Sequence, residues 1–243
     1  MARQPRLYAA GYAQLVSIDF SEPAQRSFQT SLASPFHDLL LWLGQASVTC
    51  KVAIHGWSIC PRALNILATP EQENSLPSLV QALGRKFAAR LQSGSVFSGR
   101  YHSTIPQPGL WVLPALIWLE QQPLRDKLVD DTQAWPWSSA RSHAGAAGTP
   151  LTWLQPHPDY WLCGNTPFDR QANYRRMLTT GLPTSSERLI AFSLRGQWAL
   201  GDQAFIAELQ KTATRRVSPG TRGRPKKSDP SPLNSSKNIQ SLK

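Results

Sequence analysis

The sequence lacks the local motifs that most enzymes use to hold a metal, a nucleotide or a nucleophile. Its five histidines never lie two, three or four residues apart, so no H-x-H or H-E-x-x-H pair is present. No Walker A or G-x-G-x-x-G run could cradle phosphates, and no G-x-S-x-G elbow presents a serine. A site assembled from dispersed residues stays open. His55, inside a predicted strand, is interpreted as a hydrogen-bonded structural residue and not as a metal ligand.

Cysteine and long apolar runs are also scarce. The three cysteines form no C-x-x-C pair and leave an odd count, which indicates neither a disulfide framework nor a zinc cluster. The longest apolar run, Leu110–Leu119, holds ten residues with Pro114 among them, and the amino terminus has no apolar signal segment. We therefore expect a cytoplasmic protein that is neither exported nor membrane-spanning.

Acidic side chains are few, and basic ones are unevenly distributed. The chain carries 26 Lys and Arg against 15 Asp and Glu, a net charge of +11. Residues 1–210 hold 17 basic and 14 acidic side chains, whereas residues 211–243 hold nine basic and one acidic. A near-neutral body with a basic arm is typical of proteins that bind phosphates, although such an arm can also serve solubility alone.

Hydrophobic periodicity predicts seven elements in the first half of the chain, in the order βαββαβα. Strands and helices that interleave in this way favour an α+β two-layer sandwich, an antiparallel sheet with helices on one face. The predicted strands are Tyr12–Phe20, Val48–Ile59, Ala63–Ala68 and Ser95–Ile105, and the predicted helices are Pro35–Leu43, Leu76–Leu91 and Leu110–Gln122.

The second half of the chain changes character. Short helices are predicted at Arg170–Thr180, Ser186–Ser193 and Asp202–Thr212, after a Pro-rich aromatic stretch. Beyond Val217 almost nothing is apolar, so ordering this segment cannot be offset by burial and we expect disorder. The predicted regions are therefore 1–145 for the sandwich, 146–212 for a helical C-terminal extension and 213–243 for a disordered basic tail.

The tail contains Gly220-Thr-Arg-Gly-Arg-Pro-Lys-Lys227, which resembles the core of an AT-hook. Such an extended element suits a narrow A·T minor groove, where negative potential attracts arginine and glycine lets the backbone lie deep. Arg222 and Arg224 would insert into the groove. The alternative is an arm that contacts phosphates without sequence preference.

Several stretches in order resemble the REP-associated tyrosine transposases, bacterial relatives of the single-tyrosine, HUH-type insertion-sequence transposases. The resemblance implies a ferredoxin-like catalytic domain that binds hairpins of repeated palindromic DNA. It further implies cleavage of one strand through a phosphotyrosine link, with a divalent metal such as Mg²⁺ held by two histidines. The matching stretches are Arg3-x-Pro5-Arg6, Gly84–Phe87, Gly99–Thr104, Trp135–Arg141, Gly196–Leu209 and Arg215-Arg216 followed by Arg-Gly-Arg-Pro-Lys.

The chain departs from this family where catalysis would occur. Where the family reads Met-Pro-Asn-His-Val-His-Leu-Leu, this chain reads Cys60-Pro-Arg-Ala-Leu-Asn-Ile-Leu67, so Ala63 and Asn65 take the histidine positions. Trp118 takes the position of the nucleophilic tyrosine and has no hydroxyl group. The first strand also differs, with Leu-Val-Ser-Ile-Asp-Phe at residues 15–20 in place of a His-Val-Thr-x-Arg-Gly pattern. The resemblance therefore implies that neither the metal ligands nor the nucleophile are retained.

Three hypotheses follow. The first is a transposase-derived DNA-binding protein that no longer cleaves and has no cofactor. The second is an active single-strand transposase that uses other residues, Tyr101 among them. The third is a structural protein or the product of a decayed gene, with an incidental basic tail. Under the first hypothesis the expected DNA contacts are Arg85, Lys86, Arg90, Arg100, Arg125, Arg141, Arg215, Arg216, Arg222, Arg224, Lys226 and Lys227.

Overall fold

A computed structural model describes residues 5–30, 33–213 and 215–220. Helices and strands are interleaved in the first half of the chain, and helices alone follow. In chain order they are β1 (Gln14–Asp19), α1 (Glu22–Thr30), α2 (Ala33–Thr49), β2 (Val52–Ile59), β3 (Ala63–Pro70), α3 (Ser75–Leu91), β4 (His102–Thr104), α4 (Val112–Glu120), α5 (Gln122–Arg125), α6 (Ala140–His143), α7 (Pro158–Trp161), α8 (Pro167–Thr180), α9 (Thr184–Gly196) and α10 (Gln203–Thr212).

The four strands form one antiparallel sheet in the order β2-β3-β1-β4. The hairpin of β2 and β3 supplies one half of the sheet, and β1 lies between β3 and the short β4. This order and the helices between the strands confirm the predicted α+β class, and the arrangement is that of a ferredoxin-like sandwich.

One face of the sheet is covered by α1, α2 and α3. Val16 and Ile18 of β1 point to this face because alternate residues of a strand share one side. Fully burying an aliphatic or aromatic side chain of this size is worth about 1.5–3 kcal/mol, so this layer supplies much of the folding energy. The helices contribute Phe28, Phe36, Leu39, Leu43, Leu76, Leu79, Leu83 and Phe87 to the layer.

The structure differs from the predicted sandwich because helices also cover the opposite face. Leu15 of β1 and Leu67 of β3 point to that side, where they join a second core with α4, α7, α8 and α9. Helix α4 packs on β2 and β3, whereas α9 packs on β1 and β4. The sheet is therefore buried between two helical layers, and the extension that begins at residue 146 supplies part of one of them. The boundary at residue 145 stays a prediction.

Several predicted boundaries are wrong. No element was predicted between Phe20 and Pro35, but a helix begins at Glu22, since a proline in the first turn of a helix is tolerated. Helix α2 continues through Gly44 to Thr49, so the predicted strand from Val48 begins only at Val52. A Cβ at Gly44 would overlap the indole of Trp153, which explains a glycine inside this helix.

The predicted strand over residues 95–105 is reduced to β4 and one isolated bridge between Phe20 and Phe97. The predicted start of the disordered tail is also wrong for residues 215–220. Val217 is fully buried, and its carbonyl accepts a hydrogen bond of 2.8 Å from the backbone N–H of Ala199. The rest of the predicted tail, residues 221–243, lies outside the described residues.

The structure also bears on membrane association. Within the ranges given above, every helix is too short or too polar to cross a lipid bilayer.

Candidate nucleic-acid site

A cavity of about 880 Å³, here called the sheet cavity, opens on the face of the sheet that α4 and α9 cover. Its floor consists of alternate strand residues. In the register of the sheet, Ser17 of β1 is the partner of Asn65 on one side and of His102 on the other, and Asp19 is the partner of Ala63. The walls come from α1, the segment of α4 and α5, and α9. Three strands and two helical layers therefore meet at this cavity.

The three positions that depart from the transposase pattern lie together in the sheet cavity. Ala63, Asn65 and Trp118 all line it, although Trp118 is more than 50 residues away from the other two along the chain. Ala63 offers only a methyl group. Asn65 is 2% exposed, and its buried Oδ1 has no hydrogen-bond partner among the described residues. A buried acceptor without a donor is costly, which favours a ligand or water at this point.

The indole of Trp118 is held by an arginine. The Arg125 guanidinium lies 4.5 Å from the ring centroid of Trp118 and donates a hydrogen bond to the Trp118 carbonyl. The same guanidinium pairs with Glu187 of α9 at 3.5 Å. Burial lowers the pKa of Arg125, and the carboxylates of Glu187 and Asp126 act in the opposite direction. Arg125 therefore joins α5 to α9 and fixes the indole ring of Trp118.

Three further arginines line the same cavity. Arg62 lies in the turn between β2 and β3, whereas Arg188 and Arg195 project from α9, and all three are exposed. None of the three guanidinium groups forms an ion pair or a hydrogen bond with a residue that the structure describes. The acids at the cavity are Asp19, Asp126 and Glu187, of which Glu187 is paired with Arg125. Unpaired guanidinium groups around a concave surface suit the binding of phosphate.

The residues present do not fit the divalent metal that the transposase resemblance implies. The floor offers one carboxylate, that of Asp19, together with the neutral Asn65 Oδ1 and the buried, unpartnered Nδ1 of His102. Asn65 and His102 are neighbours of Ser17 on opposite sides. Their strands are two places apart in the sheet, so their backbones are roughly 10 Å apart. Three unpaired arginines also repel a cation. Nowhere in the described ranges do three His, Cys, Asp or Glu side chains cluster as metal ligands would.

A second concave surface of about 600 Å³, here called the arginine groove, lies between α3 and residues 94–101. Arg6, Arg85 and Arg100 line it, and none of the described lining residues is acidic. The Arg6 guanidinium stacks 3.8 Å above the ring of Tyr101. The structure therefore brings together Arg85 and Arg100, two of the arginines that were expected to contact DNA.

Tyr101 does not lie where a substitute nucleophile would be needed. Its ring is 3% exposed and belongs to the core on the α1–α3 side of the sheet, whereas the next residue, His102, faces the sheet cavity. Burial raises the pKa of the Tyr101 hydroxyl to about 12, against the opposing effect of Arg6 and Arg100. This hydroxyl is therefore both distant from the cavity floor and hard to ionise.

The other expected DNA contacts are scattered. The Lys86 ammonium donates to Gln45 at 2.6 Å, and Arg90 pairs with Asp38 at 3.2 Å, so α2 engages both side chains. Arg141 is exposed on α6, where it donates to the Ala146 carbonyl. Arg215 donates to the Gln197 carbonyl and stacks on Trp198, whereas Arg216 is exposed beside Gly220. Arg222, Arg224, Lys226 and Lys227 lie outside the described residues.

The sequence patterns did not identify Arg6, Arg62, Arg188, Arg195 or His102 as site residues. Arg188 and Arg195 lie seven positions apart, a spacing that places both on one face of a helix, so this signal was available. Nothing local could show that this face of α9 covers β1 and β4.

Comparisons with known proteins give one informative match. No family model and no curated protein matches the chain. Among solved structures, the fold is similar to one described as "Structure of the REP associates tyrosine transposase bound to a REP hairpin". The match has 13% sequence identity and a TM-score of 0.52, and it covers 64% of this chain and 92% of that chain. The protein is thus related in fold to a REP-associated tyrosine transposase.

Proposed function

We propose that this protein binds DNA at the sheet cavity and does not cleave it. The observation that carries the proposal is the composition of the cavity, where unpaired arginines surround Ala63, Asn65 and Trp118. These side chains provide positive charge and polar groups for a phosphodiester strand. They provide neither an ionisable hydroxyl nucleophile nor a set of metal ligands.

DNA as the partner is supported by fold and charge together. The similar solved structure is a transposase bound to a REP hairpin, so we propose a hairpin or palindromic repeat as the DNA recognised here. Arginine and lysine side chains that contact phosphates neutralise charge and release counterions, which supplies much of the affinity for DNA. We propose a bacterial, cytoplasmic setting for this function, in keeping with a DNA partner of this kind.

The absence of cleavage is supported by the chemistry that strand transfer requires. A tyrosine hydroxyl must attack the phosphorus, and the negative charge that develops on the phosphate must be stabilised. The Trp118 indole offers a single N–H donor, and none of the described residues that line the sheet cavity is a tyrosine. Guanidinium groups can hold a phosphate without a metal, so we propose binding that needs no cofactor.

The proposed contacts differ in how free they are to reach DNA. Arg62, Arg188 and Arg195 at the sheet cavity and Arg85 in the arginine groove come first, because they are exposed and unpaired among the described residues. Arg100, Arg141, Arg216 and the basic tail remain proposed contacts. Arg125, Lys86, Arg90 and Arg215 are engaged within the protein, so their contribution to binding requires that they exchange partners.

A hairpin oligonucleotide with a single-stranded flank tests both halves of the proposal. Binding is measured by fluorescence anisotropy at low salt with Mg²⁺ and with EDTA, and covalent adducts are sought on a denaturing gel. We expect equal affinity in both conditions and no adduct. The double variant Arg188→Ala/Arg195→Ala should bind at least about tenfold more weakly, because each lost charge-assisted contact is worth roughly 1.5–3 kcal/mol.

The matched control is Arg26→Ala/Arg176→Ala, which removes the same charge from exposed arginines of α1 and α8. Its affinity should stay within about threefold of the wild type, since surface charges that line neither the sheet cavity nor the arginine groove act on the DNA only through solvent and salt. A covalent adduct that disappears in Tyr101→Phe would contradict the loss of cleavage and support the active transposase. The absence of any binding at low salt would contradict DNA recognition and support a structural or decayed protein.

A further inference from the structure

We propose that the arginine groove and the sheet cavity are two parts of one continuous path for a single DNA strand, joined at Ser98. The partner in this inference rests on the proposed function. The path itself rests on the position of the arginine groove, which lies on the other side of residues 94–102 from the sheet cavity.

The arginine groove has the charge and the backbone shape that a phosphodiester strand needs. Arg85 projects from α3 without a partner among the described residues, and Arg6 and Arg100 face it across the groove. Cβ atoms built at Gly94 and Gly99 would meet no atom within 4 Å. The backbone at these glycines is therefore open to a close approach by phosphate oxygens.

Ser98 connects the two surfaces because it lines both of them. Its backbone N–H donates to the carbonyl of Asp19 at 3.0 Å, at the end of β1. The junction is thus fixed to the sheet. From this junction the residues alternate, with Tyr101 on the side of the groove and His102 on the side of the cavity.

A single strand suits this geometry better than a duplex. Non-specific single-strand sites combine a basic groove that follows the backbone with polar or stacking contacts to the bases. Here the groove supplies the charge, and the recessed floor supplies the unpartnered atoms Asn65 Oδ1 and His102 Nδ1. A base edge that reaches the floor can satisfy Asn65 Oδ1 with a ring N–H, as in thymine, or with an amino group. A rigid double helix could not enter a recess between two helices of the protein, so the duplex stem of a hairpin would stay outside it and only a single-stranded flank would follow the path.

Oligothymidines of four and twelve nucleotides test the path in the full-length protein. The four-nucleotide strand can fill the sheet cavity alone, whereas the twelve-nucleotide strand can also reach the groove. We expect Arg85→Glu to weaken the longer strand at least about tenfold and to reduce its salt slope by about 0.7, the contribution of one phosphate. Its effect on the shorter strand should stay within about twofold. Arg188→Ala/Arg195→Ala should weaken both strands.

The control is Arg176→Glu on α8, which makes the same change of charge at an exposed position that lines neither the groove nor the cavity. It should shift either affinity by less than about threefold if the groove itself is the contact. Equal losses of affinity in Arg85→Glu and Arg176→Glu would show that net charge and not the groove is responsible, and would overturn the path. The path would also be overturned if the four-nucleotide strand failed to bind, or if Arg85→Glu weakened it as much as it weakens the longer strand. If Arg85→Glu leaves the longer strand unchanged while the cavity variant weakens it, the path fails and the proposed function stands.

Discussion

Ala63 and Asn65 keep the strand geometry that a pair of metal ligands would need while lacking the ligands. Both side chains face the sheet cavity from β3 because residues two apart in a strand share one face. Across the sheet their partners are Asp19 and Ser17. The backbone of the site is therefore present, and its chemistry depends on two side chains.

Ala63→His/Asn65→His should create a site for a divalent ion that prefers imidazole, such as Zn²⁺. Two adjacent imidazoles on one strand face can share an ion, although Arg62 and the arginines of α9 will weaken its binding. Ligand binding to the native state stabilises by about 2.7 kcal/mol at a hundredfold excess over the dissociation constant. Thermal unfolding with and without Zn²⁺ measures this stabilisation as a rise of Tm. The control is the single variant Ala63→His. An equal shift of Tm in the single and double variants would contradict a shared site.

Because His55 is buried, we expect the protein to lose stability in mild acid. It is 6% exposed, and its ring nitrogens contact the Gln155 carbonyl at 2.7 Å and the Thr69 hydroxyl at 2.8 Å, which confirms the structural interpretation. Burial lowers the pKa of His55 from 6.5 to about 4. Because the folded pKa lies below the unfolded one, the stabilisation is present above pH 6.5 and is lost as the pH falls towards 4. Between pH 7.5 and pH 5 the loss should be about 2 kcal/mol.

Urea unfolding at the two pH values, with His55→Gln as the variant, measures the contribution of this residue. His55→Gln should be less stable at pH 7.5 and should lose less stability on acidification. His157 is in contact with His55, and burial lowers the pKa of His157 too. Part of the pH dependence of stability should therefore remain in His55→Gln. His37→Gln, at an exposed position, should behave like the wild type. An unchanged pH dependence in His55→Gln would refute the assignment.

At the scale of the elements, a buried carboxylate ties α4 to the helices of the extension. Glu120 at the end of α4 is fully buried and accepts hydrogen bonds from the Ser139 hydroxyl at 2.5 Å, His143 Nδ1 at 2.6 Å and the Tyr174 hydroxyl at 2.7 Å. Tyr160 donates to the carbonyl of His143 at 2.7 Å. Since a buried charge is tolerated only when it is fully hydrogen-bonded, this network fixes how α6 and α8 pack on α4.

Tyr174→Phe should destabilise the protein by about 1–3 kcal/mol, because it leaves Glu120 Oε2 without its donor in a buried position. The measurement is the free energy of unfolding in urea. Tyr8→Phe is the matched control, since the Tyr8 hydroxyl also donates one hydrogen bond but is exposed. It should change the stability by no more than about 0.5 kcal/mol. An equal loss of stability in both variants would show that the hydrogen bonds to Glu120 do not fix the packing of α8.

The elements that could be predicted from the sequence are those with a strong local pattern. The stripe of Leu76, Leu79, Leu83 and Phe87 predicted α3 almost to the residue, and the closely spaced strand patterns at Val48–Ile59 and Ala63–Ala68 predicted the two strands of the β2–β3 hairpin. Helix α1 was missed, since no element was predicted between Phe20 and Pro35. The predicted second helix ended at Leu43, but the packing of Trp153 against Gly44 permits the helix to continue.

At the scale of the whole molecule, the site is built from segments that are distant in sequence. The resemblance to a transposase located Ala63, Asn65 and Trp118, and the structure places all three in one cavity. The arginines of α9 could not be assigned to it beforehand, because their position depends on how the extension packs across β1 and β4. Local periodicity predicts which face of a helix is buried but carries no information on which strand it covers.

The basic tail leads to a prediction for the intact chain. Residues 221–243 carry six basic side chains and one acidic one, whereas residues 211–220 include Val217, which is fully buried in a small core with Leu209 and Leu7. A truncation after Gly220 should therefore leave the Tm unchanged. It should reduce the salt dependence of duplex DNA binding by up to about 0.9 in slope for each phosphate that the tail neutralises.

A truncation after Gln210 provides the comparison, because it removes Val217 and the contact of Arg215 with Trp198 as well as the tail. This shorter chain should have a lower Tm, since the loss of a buried aliphatic side chain typically costs 1–3 kcal/mol or more. Only the variant that ends at Gly220 therefore separates the charge of the tail from the integrity of the fold. An unchanged salt slope in the variant that ends at Gly220 would show that the Arg-Gly-Arg-Pro segment does not contact DNA, and that the arginines on the folded body supply the electrostatic part of binding.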